Sequence, residues 1–151
     1  MCQYCGCRDI PLLRDYIAEH ERVINLGGAA IRALDDGDYH RARTELAAMA
    51  EELRSHWRGE EAGLFAVMSR DALFREHITP LIQEHRELGA LLDTVDLDIA
   101  DDRDRVRVAF EELYEHIAKE EDGLFPAALT SLDGEDWDTA IAAWKQAHPR
   151  L

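Results

Sequence analysis

Two stretches of this chain read almost alike. Residues 56–65 are His-Trp-Arg-Gly-Glu-Glu-Ala-Gly-Leu-Phe, and residues 116–125 are His-Ile-Ala-Lys-Glu-Glu-Asp-Gly-Leu-Phe; the His, both Glu, the Gly, the Leu and the Phe match without a gap. A Glu-His pair followed by apolar residues precedes each copy, Glu19-His20 the first and Glu84-His85 the second. Self-similarity of this kind marks a duplicated structural unit. The unit here reads as a helix pair, with one His on the first helix and a His-x-x-x-Glu on the second. A duplicated pair leaves few folds open, because each copy must bury its apolar face against the other.

Strand signals are nearly absent, and the long segments are rich in Ala, Leu, Glu and Arg, which favour helix. The apolar residues Leu12, Leu13, Tyr16, Ile17, Val23, Ile24, Ala30, Ile31 and Leu34 recur at helical spacing from a start near Asp9-Ile10-Pro11 to Asp35-Asp36-Gly37. Asp38 caps a second predicted helix that runs to about Ser69, and Thr79-Pro80 reads as the N-cap and first turn of a third. Asp96 to Asp101 is a loop. Asp101 or Asp102 opens a fourth helix to about Ser131, and Asp136 caps a short fifth one, expected to pack outside as a lid over one end. The expectation is an all-α fold, an up-down-up-down four-helix bundle with a short extra C-terminal helix. Residues 1–8 form a Cys-rich N-terminal segment and residues 9–151 the bundle domain.

Charge narrows the partners. With 17 Lys and Arg against 32 Asp and Glu in 151 residues, the formal net charge is -15, which repels phosphate backbones and anionic lipid surfaces alike. Nucleic acid and membrane are therefore not expected partners. No apolar stretch approaches the roughly 20 residues that span a bilayer. The N-terminus has neither the basic region nor the apolar run of a signal peptide, so a cytoplasmic protein with reduced cysteines is expected.

On a helix, His and Glu four residues apart lie about 6 Å along the axis and about 40° around it, so they share a face. Antiparallel packing of the two copies would gather His20, His56, His85 and His116 with Glu60 and Glu120 between them. A single His on a helix face is usually a hydrogen-bonded core or surface residue, and a Glu in an acidic helix is usually solvated. Two gapless copies of the same element, each with its upstream Glu-His, are hard to ascribe to surface composition. Four imidazoles and two carboxylates suit a pair of first-row transition ions, each taking two nitrogens, with the carboxylates bridging. The same donors accept iron, manganese or zinc. Leu64, Phe65, Leu124 and Phe125 read as core beside the site, and Glu61 and Glu121 as outer or exposed groups.

The spaced His...His-x-x-x-Glu...His...His-x-x-x-Glu pattern, covering roughly His20 to Phe125, resembles the bacterial hemerythrin-like proteins of the HHE cation-binding type. That resemblance implies a four-helix bundle holding two iron ions with an oxo or hydroxo bridge, His20, His56, His85 and His116 as terminal ligands and Glu60 and Glu120 as bridges. It implies binding of, or reaction with, dioxygen, hydrogen peroxide or nitric oxide. The chain departs from the oxygen-carrying hemerythrins where those have His-x-x-x-His on the third helix, since Leu81 stands four residues before His85. It also has Glu120 followed by Glu121 where they end in His-x-x-x-x-Asp. One terminal imidazole is missing, which leaves an open position or recruits Glu61 or Glu121. An open position favours reactivity over reversible carriage. Three functions follow as expectations: oxidant detoxification with catalase-like or nitric-oxide-scavenging turnover, sensing through a separate protein partner, or iron binding and storage without turnover.

Cys2-x-x-Cys5-x-Cys7 offers three soft donors in a short loop, as a zinc site or a redox dithiol would. A zinc site needs a fourth ligand, for which His77 is the candidate. On a continuous helix His77 would lie about 12 Å and about 80° from His85, outside the central cluster. His40 and His148 read as incidental.

Overall fold

The computed structural model describes residues 6–149. They form an all-helical fold with no strand among them, as expected of a helical bundle. The long helices are α1 (Leu13–Asp35), α2 (Tyr39–Ala62), α4 (Ala72–Thr94) and α5 (Ala100–Lys119); α3 (Leu64–Met68) extends α2, α6 (Phe125–Ser131) extends α5, and α7 (Gly134–Ala147) closes the chain. A 3-10 turn at Cys7–Asp9 precedes α1. Helix α1 packs on α2 and α5, α2 on α4, and α4 on α5, so the four long helices meet around one axis.

Several predicted boundaries move, each for a local reason. Thr79-Pro80 does not start a helix. Asp71 does, its carboxylate accepting the Leu73 N–H at 2.9 Å, and the Thr79 hydroxyl donates back to the Arg75 carbonyl at 2.9 Å instead of capping. Phe74, Ile78, Leu81 and His85 keep one inward face through Pro80. Pro80 itself is exposed, so the Glu76 carbonyl that its ring leaves unbonded is on the solvent side. In the last helix the cap is Asp133, not Asp136: Asp136 N–H donates to Asp133 Oδ1 at 2.9 Å while Asp133 N–H donates to Asp136 Oδ2 at 3.2 Å, a reciprocal capping box.

The second and fourth predicted helices are both interrupted, and at the same place in the repeat. The first copy breaks at Gly63, whose φ of -100° and ψ of -104° separate α2 from α3. The second copy widens into a π turn over Glu120–Leu124 before α6 resumes. A π turn rotates the residues that follow it relative to those before, and such insertions gather at functional sites. The first break comes two residues after Glu60-Glu61, and the second begins on the matching pair Glu120-Glu121.

Apolar side chains form two clusters. One contains Leu12, Tyr16, Leu64, Phe65, Leu81, Leu124, Phe125 and Ala140; the other contains Val23, Leu46, Leu53, Val106, Leu113 and Ile117. The sequence-predicted core residues Leu64, Phe65, Leu124 and Phe125 are all buried in the first. Between the clusters lies a layer of buried polar groups. Helix α7 does more than cover an end: it packs along α2 and α3, and Ala140 joins the first cluster.

The two breaks differ in what they tolerate. A Cβ on Gly63 would stand 2.5 Å from the Gly59 carbonyl oxygen and 3.0 Å from that of Ala140, whereas one on Gly123 would meet nothing within 4 Å. Gly63→Ala should therefore cost about 1–3 kcal/mol through the displaced α2–α7 contact, and Gly123→Ala little, as read from paired thermal melts; equal shifts would contradict the packing.

Candidate metal centre

The polar layer consists of His20 from α1, His56 and Glu60 from α2, His85 from α4, and His116 and Glu120 at the end of α5 and the start of the π turn. All are buried, Glu60 and Glu120 completely. His20 Nε2 and His56 Nε2 face each other at 3.1 Å, and His85 Nε2 and His116 Nε2 at 3.0 Å. Glu60 Oε1 lies 3.0 Å from His56 Nε2 and 3.7 Å from His20 Nε2, and its Oε2 lies 3.5 Å from His85 Nε2. Glu120 Oε1 lies 2.7 Å from His116 Nε2 and 3.8 Å from His20 Nε2. Two overlapping ligand groups result: His20, His56, Glu60 and Glu120, and Glu60, His85, His116 and Glu120, each with its donor atoms within 4.8 Å of one another. The two glutamates belong to both.

None of the four carboxylate oxygens of Glu60 and Glu120 has a hydrogen-bond partner, although all are buried. Their close approaches to imidazole nitrogens lack hydrogen-bond alignment. Interiors rarely tolerate such an arrangement, since an unpaired buried carboxylate costs several kcal/mol. Lone pairs from four rings and two carboxylates converging on shared points are what cations require, so the donor set fits two metal ions with Glu60 and Glu120 between them.

Behind each imidazole stands a further carboxylate. His56 Nδ1 donates to Glu19 Oε2 at 2.9 Å, His85 Nδ1 to Glu61 Oε1 at 2.9 Å and His116 Nδ1 to Glu84 Oε2 at 2.7 Å, while His20 Nδ1 lies 3.9 Å from Glu121 Oε2. A carboxylate at Nδ1 fixes the proton there and leaves Nε2 free to ligate. The pairing follows the repeat. Glu19 serves His56 and Glu84 serves His116, each within its own helix pair; Glu61 and Glu121 serve His85 and His20, each across to the other pair. Phe65 stacks on His85 at 5.8 Å and Phe125 on His20 at 6.0 Å in the same crossed fashion.

The hemerythrin HHE cation-binding domain matches residues 12–128. The chain belongs to that family. No curated protein and no solved structure matched the chain. The matched span of this HHE domain contains all six central residues and ends before α7.

Against the sequence-predicted site, His20, His56, Glu60, His85, His116 and Glu120 come together as one cluster. Glu61 and Glu121 stand behind imidazoles and belong to neither ligand group. Leu81, at the place of the missing imidazole, is buried in the apolar cluster. His77 is exposed on the continuous helix α4 and belongs to neither ligand group, Cys7 is half-buried in the N-terminal turn, and Cys2 and Cys5 lie outside the described residues. His148 is not incidental, because its Nε2 lies against Glu19 Oε1. The imidazole partners Glu19 and Glu84 are additions to the sequence-predicted site, and the Glu-His pair repeated ahead of each copy is the signal for both. Trp144 and Tyr16 carried no such signal. Tyr16 donates to the Gly59 carbonyl at 3.0 Å and sets its ring edge-on to His56 at 5.8 Å.

Among themselves the central groups settle their charge by sharing protons. Burial, then the neighbouring Glu120 carboxylate, pushes the Glu60 carboxyl well above its usual range. Burial alone would lower the His116 pKa, but the Glu120 carboxylate at its Nε2, with Glu60 and Glu84, raises it from 6.5 to about 9. Glu19, Glu61 and Glu84 are each pushed up by burial, yet their imidazole and cationic partners hold all three below the ordinary carboxylate range. Glu19, Glu61 and Glu84 thus stay ionised, and in the centre Glu60 and His116 carry protons while Glu120, which burial alone would raise, is held well below its usual range by Glu60, His116 and His20.

A metal ion must displace those protons, so uptake at neutral pH should release protons and affinity should rise with pH up to about 9, where His116 titrates. The raised pKa has the opposite sign for folding of the metal-free chain: its contribution is complete below 6.5 and fades as pH rises through about 9. Calorimetric titration in buffers of different ionisation heat measures the protons released; a buffer-independent heat would contradict this account of the centre.

Proposed function

We propose that this HHE domain is an up-down-up-down four-helix bundle holding two iron ions, one at His20 and His56 and the other at His85 and His116, bridged by Glu60 and Glu120. The observation that carries this reading is the set of four donorless carboxylate oxygens between two facing imidazole pairs. An iron pair supplies redox chemistry towards dioxygen, hydrogen peroxide or nitric oxide. The chain's own residues set the conditions for it. Ionised Glu19, Glu61 and Glu84 orient three of the imidazoles, and Glu121 stands behind the fourth. The apolar clusters on either side keep bulk water from the centre. Leu81 offers no nitrogen, so the ligand set of the His85–His116 position is one donor poorer than in the oxygen carriers. That shortage supports reaction with small oxidants, by detoxification or sensing, over simple carriage.

Purified chain should bind two irons and absorb in the near ultraviolet, and iron-loaded protein should convert hydrogen peroxide to water and dioxygen. Glu60→Ala and Glu120→Ala should each abolish oxygen evolution and reduce bound iron. Two irons without turnover would make the domain an iron- or oxygen-binding module, and absence of bound iron would remove the reading.

Metal should also stabilise the fold. At free metal a hundredfold above Kd the gain is about 2.7 kcal/mol for each ion, or roughly 5–10 °C in Tm per ion, measured by melting with and without chelator; unchanged melting would contradict it.

A further inference from the structure

The four outer carboxylates are related by the duplication, yet their surroundings are not. Glu61 is bound by Arg86 at 3.2 Å, Glu84 by Lys119 at 2.5 Å and Glu121 by Arg8 at 3.4 Å, each from a partly exposed basic side chain. Glu19 has no such residue. It is wholly buried, and its carboxylate accepts from Trp144 Nε1 at 3.2 Å and touches His148 Nε2. His148 is itself fixed, its Nδ1 bonded to the Trp144 carbonyl at 2.8 Å and its ring 4.5 Å from that of Trp144. Gly59 makes room for this pair, since a Cβ there would approach Trp144 Cδ1 to 3.1 Å and His148 Cε1 to 3.6 Å.

The corresponding group in the second copy is open. The Glu84 side chain keeps 34% of its surface exposed, and a cleft of about 640 Å³ between α4 and α5 is lined by Glu84, His85 and His116 together with Trp57 and Leu88. All four imidazoles are buried, but the carboxylate behind His56 is dry beneath helix α7, whereas the one behind His116 opens onto a cleft. Both closing residues lie beyond residues 12–128, the span that matches the family.

We infer that Trp144 and His148 are positioning residues for the metal ion at His20 and His56, acting through Glu19, and that they make this the tightly held ion of the two while the one at His85 and His116 exchanges. The inference rests on the two-cation reading above. Its physical basis is that a carboxylate locked in a dry interior holds its imidazole in one orientation and keeps competing water and chelator away, whereas a partly exposed carboxylate such as Glu84 orients its imidazole but leaves water and chelator a way in.

The test uses the full chain loaded with cobalt(II), with release to excess chelator followed by loss of visible absorption. Wild type should release its two ions in two phases. Trp144→Phe, which keeps an aromatic side chain but removes the indole N–H, and His148→Ala should speed the slow phase by roughly tenfold to a hundredfold and leave the fast phase unchanged. His148→Gln, which restores a donor, should recover much of the slow rate, and Glu84→Gln should speed the fast phase alone. Cobalt bands should change for one ion only, an effect that general loosening of the fold would not produce. Two bound ions leaving in a single phase, or α7 variants that accelerate both phases equally, would overturn the inference and leave the two-cation reading standing. A chain that takes up no cobalt would overturn both.

Discussion

Glu60 and Glu120 set two carboxylates side by side in the interior with no donor for any of their four oxygens, and the rest of the molecule is arranged around that fact. Like charges at this separation in a low-dielectric site repel strongly, so protons or cations must neutralise them. The imidazole pairs on either side supply neutral lone pairs, which bind metal ions without adding negative charge. The outer carboxylates then make the arrangement one-sided: bonded at Nδ1 of His56, His85 and His116, they hold those three rings so that Nε2 faces inward. The ionised Glu120 inside and the ionised Glu19, Glu61 and Glu84 around it give the centre a negative potential that favours a cation there.

The backbone serves the same end. A regular helix points successive residues about 100° apart, so α2 turns Glu60 to the centre and Glu61 to an imidazole of the other helix pair. The break at Gly63 comes two residues after Glu61, and the π turn over Glu120–Leu124 takes in the second pair. They carry Leu64, Phe65, Leu124 and Phe125 onto the apolar cluster that closes one side of the polar layer. Chain geometry, apolar packing and ligand placement are thus joined within the same ten-residue element, which explains why that element occurs twice.

How much of this was legible in the sequence depends on the range of the interaction involved. The central His and Glu residues were readable because the spacing of four is a local property of a helix, and duplication supplied the second set. The long helices followed from apolar periodicity. At Thr79-Pro80 the local cap signal yields to the inward spacing of Phe74, Ile78 and Leu81, which tertiary packing rewards. Asp136 misled by only a few residues, since Asp133 and Asp136 cap each other. Trp144 and His148 were out of reach: their partner Glu19 lies at the other end of the chain, and no spacing rule connects an α1 carboxylate to the end of α7. The crossed pairing of Glu61 with His85 and of Glu121 with His20 was hidden likewise, because it needs the two helix pairs in register.

The central claim is that two neighbouring cations share Glu60 and Glu120. Anomalous diffraction from crystals of the metal-loaded chain tests it most directly. The account predicts two peaks, one against His20 and His56 and one against His85 and His116, with both glutamates contacting each. A single peak, or metal held only away from these six side chains, would contradict it.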